Sequence, residues 1–240
     1  MDLSVAVYDL ADGREAAYGE DRTYACASVA KLVILAALLL RARDAGRWLS
    51  ADEERLAAAM IERSDNDAAT VLRAAAGGVA ALDATAARLG MVRTSAAPAW
   101  GLTRTTAGDQ LTLLKAVFRP DAGTGPDQVT GTGTGTGTGT ENGSRPGPGL
   151  DARSRRFLAG LMGRVVPGQD WGVSAAGDDW ALKNGWLPRT ASGRWLVHSV
   201  GRVDGCLIAV LSEGHASLES GIARVETAAV SAVRRMRRSV

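Results

Sequence analysis

The sequence is poor in the residues that build covalent staples and metal cages. Two cysteines, Cys26 and Cys206, and two histidines, His198 and His215, are all it contains. That pair of thiols makes no disulfide framework, and no Cys/His spacing fits zinc; neither a metal nor a cofactor is expected. An excess of one charge is missing too. The 28 basic and 26 acidic residues give a formal net charge of +2, so no overall field attracts nucleic acid or an anionic membrane. The longest apolar run, Leu32 to Leu40, falls well short of the roughly 20 residues that span a bilayer. The one basic cluster, Arg234 to Arg238, reads as a solvated helix end, where cations complement the helix dipole. No leader-type segment opens the sequence. The compartment is left open: extracytoplasmic if a leader was trimmed, cytoplasmic otherwise.

What is present fits a single domain over residues 1–240. The stretch "LSVAVYDLADGREAAYG" alternates like two strands around the turn Ala11–Arg14. A helix is expected from Ser28 to about Asp44. A second, Ser50 to Arg63, carries the capping-box pair Ser50 and Glu53. Helices follow from Asp67 to Ala76, over "VAALDATAARLG", and over "TTAGDQLTLLKAVF". Residues 119–150 are rich in Gly, Pro and Thr, with a strict Gly-Thr alternation from Gly131 to Thr140; that composition predicts a disordered surface loop. Beyond it lie a helix over "DARSRRFLAGLMGRV", three strand-like runs, "WALKNGWL", "RWLVHSVGRV" and "CLIAVLSEG", and a long helix from Leu218 to Arg238. The expected fold class is α+β, an antiparallel sheet built from both chain ends with flanking helices and an inserted all-helical lobe. The α/β lobe is placed at about 1–50 and 151–240, the helical lobe at about 51–118, and the low-complexity loop at 119–150.

Three short motifs carry chemistry. In "YACASVAKLVILAALLL" a serine and a lysine, Ser28 and Lys31, sit one turn apart on one face at the head of an apolar helix. A serine there lies near free backbone N–H groups, and a neutral lysine beside it is a workable base. Alone, the pair also suits a capped helix start with its lysine in solvent. Ser64-Asp65-Asn66 breaks two helices, where each residue is also a good cap. Lys183-Asn184-Gly185 interrupts a strand. A lysine there also protects a sheet edge, and the glycine leaves room for an extended substrate.

S-x-x-K, S-D-N and K-x-G in that order form a signature, and by it the chain resembles the serine β-lactamase and penicillin-binding protein superfamily, class A β-lactamases above all. The resemblance implies an active site between the two lobes and assigns roles. Ser28 is the acylated nucleophile and Lys31 its proton acceptor. Ser64 passes a proton to the leaving nitrogen. Asn66 binds Lys31 and the substrate amide. Lys183 holds the substrate carboxylate, with Asn184 in place of the family's middle hydroxyl beside Gly185. The N–H groups of Ser28 and Trp186 form the oxyanion hole, and Arg194 is a second carboxylate anchor. Trp100 and the Trp186 ring are candidates to flank the cleft.

Departures from the pattern are equally informative. No Asp or Glu occurs between Asp83 and Asp109, where class A enzymes carry the glutamate that positions the deacylating water. The expected function is an acyl-serine hydrolase or transferase acting on an amide or β-lactam carbonyl of a small molecule or peptide, and a poor β-lactamase. The alternatives are a non-hydrolysing penicillin-binding, sensor or interaction domain, and a biosynthetic acyltransferase using an amine. The family's N-terminal helix is missing before "LSVAV": either the sequence as given starts late, or the last helix exposes the stripe Ile222, Val225, Ala229 and Val233 for self-association or a partner.

Overall fold

A computed structural model describes residues 2–19, 22–119, 147, 149–189 and 192–238. The low-complexity stretch expected to be disordered lies almost wholly outside these residues. Alternating apolar residues form strand β1 (Asp2–Asp9), which turns at Gly13 (φ +79°) and pairs antiparallel with β2 (Glu15–Tyr18). A two-residue strand, β3 (Tyr24–Ala25), leads through a 3₁₀ turn, Ala27–Val29, into helix α1 (Ala30–Asp44). The helix expected from Ser28 thus starts two residues later, because Ala27 adopts φ +45° and the chain enters through the tighter turn.

Helix α2 (Ala51–Glu62) is capped reciprocally by Ser50 and Glu53, and α3 (Asn66–Ala76) by the Asp65 side chain on the Ala68 N–H at 2.7 Å. Helix α4 (Gly78–Arg88), strand β4 (Arg104–Thr105), helices α5 (Ala107–Phe118) and α6 (Ala152–Met162), strands β5 (Trp180–Arg189), β6 (Arg194–Val203) and β7 (Cys206–His215), and helix α7 (Leu218–Arg238) complete the chain.

The sheet is antiparallel, with order β2-β1-β7-β6-β5. Its two faces separate by the period-two alternation of strands. Val5, Val7, Leu182, Ile208 and Val210 pack under α7, whereas Ala6, Tyr8, Ala181, Val200 and Leu211 join the core that holds α1 and α5. Helix α1 packs among α2, α3, α4 and α6, and α5 lies on β7, β1 and β6. Being surrounded, α1 is apolar on every side: all residues from Ala30 to Leu40 are buried. Each leucine or isoleucine in it contributes on the order of 2 kcal/mol of transfer free energy.

The stripe on α7 expected to be exposed is instead the one that faces the sheet. Val225, Ala229 and Val233 are buried in the core under the helix, and Ile222 packs partly buried beside them. A neighbouring stripe, with Ala228 and Ala232, meets Leu3, Val5 and Tyr18 across an open groove of about 430 Å³. Among the described residues no helix is long and apolar enough to cross a membrane.

Candidate active site

Two non-glycine residues hold left-handed backbone beside the site, Ala27 (φ +45°) and Ser64 (φ +57°). Such conformations cost on the order of 1–3 kcal/mol each and persist only where surrounding contacts impose them. At Ala27 the contacts are visible. Cys26 N–H donates to Thr103 O at 2.7 Å, β3 pairs with β4, and His198 reaches Ala25 O at 2.9 Å. The result lifts Ser28 onto the 3₁₀ turn, half-buried, at the head of α1.

Lys31 enters from the first turn of α1 and is fully buried. Its Nζ lies 3.1 Å from Ser28 Oγ, 3.1 Å from Ser64 Oγ, 2.6 Å from Ser64 O and 2.8 Å from Asn66 Oδ1. The link between α2 and α3 therefore presents Ser64 and Asn66 to one amine, while Asp65 between them is spent on capping α3. From the sheet, Lys183 on β5 brings its Nζ within 3.0 Å of Ser64 Oγ and 3.2 Å of Asn184 O. Three distant segments meet around Ser64. Burial lowers Lys31 to a pKa of about 8. Lys183 falls to about 7, through burial first and the charge of Lys31 second. Two ammonium groups on one hydroxyl oppose each other's charge, so the pair readily supplies one neutral amine near neutral pH.

Gly185 continues β5 past the serine. A β-carbon built there would lie 2.9 Å from the Ser28 and Val29 amide nitrogens and 3.0 Å from Cys26 O. The room expected beside Gly185 for substrate is thus filled by the backbone of Cys26 to Val29. Strand alternation splits the rest of the motif. Lys183 and Gly185 face the helices, whereas Asn184 turns to the α7 side and donates to Gln169 O (2.9 Å) and Trp171 O (2.8 Å). The side chain of Asn184 anchors the segment before β5, which corrects its expected contact with substrate. The Trp186 ring lies on that same side, tilted against Trp171 at 5.7 Å, so only its backbone remains a candidate for the site. Arg194 is exposed and donates to Gly214 O at 3.1 Å. The register places it opposite Arg189, four residues beyond Gly185, or roughly 13 Å along the strand. That separation argues against the expected carboxylate anchor.

Trp100 does line the site. Its ring lies 4.9 Å from Lys31 Nζ, and its indole N–H reaches Thr70 Oγ1 at 3.4 Å. The acids that bracket its loop are both structural. Asp83 accepts from the Ala96 N–H at 2.7 Å, and buried Asp109 accepts from the Arg93 N–H (2.8 Å) and the Thr94 hydroxyl (2.6 Å). Those braces escaped the sequence reading, although two lone acids flanking an acid-free loop were a usable signal. Cys26, two residues before Ser28, is buried and its thiol pKa is pushed up by burial. His198 is a core histidine. Its Nδ1 accepts from the Ser212 N–H at 3.1 Å, so Nε2 carries the proton and donates to Ala25 O.

The architecture matches solved structures over nearly the whole chain. A class A β-lactamase from Mycobacterium abscessus aligns over 98% of this chain and 94% of its own, with a TM-score of 0.70 at 17% identity. An ancestral class A β-lactamase aligns over 98% and 94%, with a TM-score of 0.69 at 21% identity. The fold is that of the class A β-lactamases. A β-lactamase from Burkholderia vietnamiensis aligns over 97% of this chain and 90% of its own, with a TM-score of 0.69 at 20% identity. The sequence model of the β-lactamase enzyme family matches residues 51–128, which hold helices α2 to α5. A comparison with curated proteins finds no match.

Proposed function

We propose that the protein is an acyl-serine enzyme of the S-x-x-K type that opens an amide or β-lactam carbonyl. The observation that carries this is one buried amine, Lys31 Nζ, at 3.1 Å from both Ser28 Oγ and Ser64 Oγ. In the neutral form Lys31 takes the proton of Ser28 as its oxygen bonds to the carbonyl carbon. The N–H groups of Ser28 and Trp186 hold the oxygen that becomes negative, each such donor supplying on the order of 3 kcal/mol. The carbon–nitrogen bond then breaks, the leaving nitrogen takes the proton of Ser64, and Lys31 returns its own to Ser64. Lys183, charged, pairs with a substrate carboxylate, and Asn66 orients Lys31 and the substrate amide.

Hydrolysis of the resulting ester is expected to be slow, because the stretch from Ala84 to Gly108 offers no carboxylate and Asp83 and Asp109 are engaged in bracing it. This favours an enzyme that keeps its acyl group or passes it to an amine over an efficient β-lactamase. Intact-protein mass spectrometry after incubation with a penicillin and with a fluorophosphonate tests the proposal. A long-lived adduct, absent in Ser28→Ala, is expected. No adduct with either probe would overturn it in favour of an interaction domain.

A further inference from the structure

Trp100 stands where it can decide how an acyl group leaves Ser28. Lys31 is enclosed by Ser28, Ser64 and Asn66 through hydrogen bonds, and the Trp100 ring covers a further side at 4.9 Å from Nζ, within cation–π range. The ring is fixed in place. Its N–H reaches Thr70 Oγ1 on α3, and the 3₁₀ turn Trp100–Leu102 packs against the 3₁₀ turn that carries Ser28. A β-carbon on Gly101 would lie only 3.9 Å from the Ala27 Cα. A water molecule that attacks the acyl ester must give its proton to a base, and Lys31 is the amine in contact with the ester oxygen's own serine. An indole lying over that amine takes up room that a water would need in order to touch Lys31. Ser64, whose hydroxyl is assigned to the leaving nitrogen, is only half-buried.

We infer that Trp100 is a specificity-determining residue that shields the acyl-enzyme from water and leaves its resolution to a primary amine arriving on the Ser64 side. The inference rests on the acyl-serine function proposed above. The amine nitrogen bonds to the acyl carbon and the Ser28 Oγ–carbon bond breaks. The amine's proton passes through Ser64 Oγ to Lys31 and from there to Ser28, so the enzyme is regenerated with no other reactant.

The test follows the penicilloyl adduct by mass spectrometry, in buffer and with added hydroxylamine, for the parent, Trp100→Phe, Trp100→Leu and Trp100→Ala. In the parent the adduct is expected to persist in buffer and to be released by hydroxylamine. Trp100→Ala is expected to shorten its lifetime in buffer at least tenfold and to shrink the benefit of hydroxylamine, while Trp100→Phe stays close to the parent. Equal lifetimes in parent and Trp100→Ala would overturn the inference. If Trp100→Ala does not fold, a Trp100→Leu lifetime no shorter than the parent's overturns it equally. Absence of any adduct in the parent would instead remove the acyl-serine function itself.

Discussion

Gly185 lies so close to Ser28 that a single added methyl group would come within 2.9 Å of the serine's amide nitrogen. The obstruction is backbone, which cannot swing aside as a flexible side chain would. Gly185→Ala is therefore expected to push β5 away from the nucleophile and cost at least the value of one oxyanion donor, a factor on the order of 100 in acylation rate. Far-ultraviolet circular dichroism should stay close to the parent. An unimpaired acylation rate would show that β5 and the nucleophile turn move independently.

The two buried amines set opposite limbs of the pH profile. Lys31 must be neutral to accept the Ser28 proton, so labelling by an uncharged fluorophosphonate should rise with pH, reach half its maximum near pH 8, and level off. Lys31→Ala should slow it by a factor of about 10²–10⁴. A penicillin also needs charged Lys183, whose pKa is about 7. Because Lys183 gives up its proton before Lys31, only a minority form carries neutral Lys31 beside charged Lys183. Penicillin acylation should therefore follow a low bell peaking between those two values, which the uncharged reagent lacks. Identical profiles for the two reagents would show that Lys183 does not read the carboxylate.

Lys183 also penalises folding. Its pKa is about 7 in the folded chain against 10.5 for a free lysine, so between those values the unfolded chain binds more protons and stability rises with pH. The full penalty applies below pH 7. Lys183→Met removes the buried charge and should raise the melting temperature at pH 6–7 while abolishing penicillin acylation; the gain should vanish toward pH 10. A lowered melting temperature at pH 6 would show that the Ser64 contact outweighs the burial of charge.

His198 predicts acid sensitivity. Burial holds its pKa at about 4, below the 6.5 of a free imidazole. As the pH falls from 6.5 toward 4 the unfolded chain takes up the proton first, so stability declines by about 3 kcal/mol across the window. Protonation would also set an Nδ1–H against the Ser212 N–H. Denaturant midpoints at pH 7, 5.5 and 4 check this. His198→Gln should flatten the decline relative to the parent, and parallel slopes would refute the assignment.

Much of the site was legible because chemistry interrupts pattern. Lys31 breaks an apolar helix, Ser64-Asp65-Asn66 breaks two helical periods, and Lys183 breaks a buried strand. The antiparallel sheet was legible from the period-two runs at both ends of the chain. Local spacing says less about direction and strain. That Asn184 and the Trp186 ring leave the site follows from the same alternation that brings Lys183 in, and it becomes evident only once the site face of β5 is known. The left-handed backbone at Ala27 and Ser64 carries no signature, since neither residue type demands it. The α7 stripe was misjudged because burial depends on which element covers a helix, and here the sheet covers it.

Strand β1 pairs along its length with β7, Asp2 meeting Glu213 and Asp9 meeting Cys206, so the first strand waits for nearly the last before either is complete. Such a closure across most of the polypeptide is slow and comes late in folding. During synthesis Ser28 emerges about 150 residues before Lys183 and the strand that carries it. Under the proposed mechanism the site therefore stays incomplete until β5 has been made.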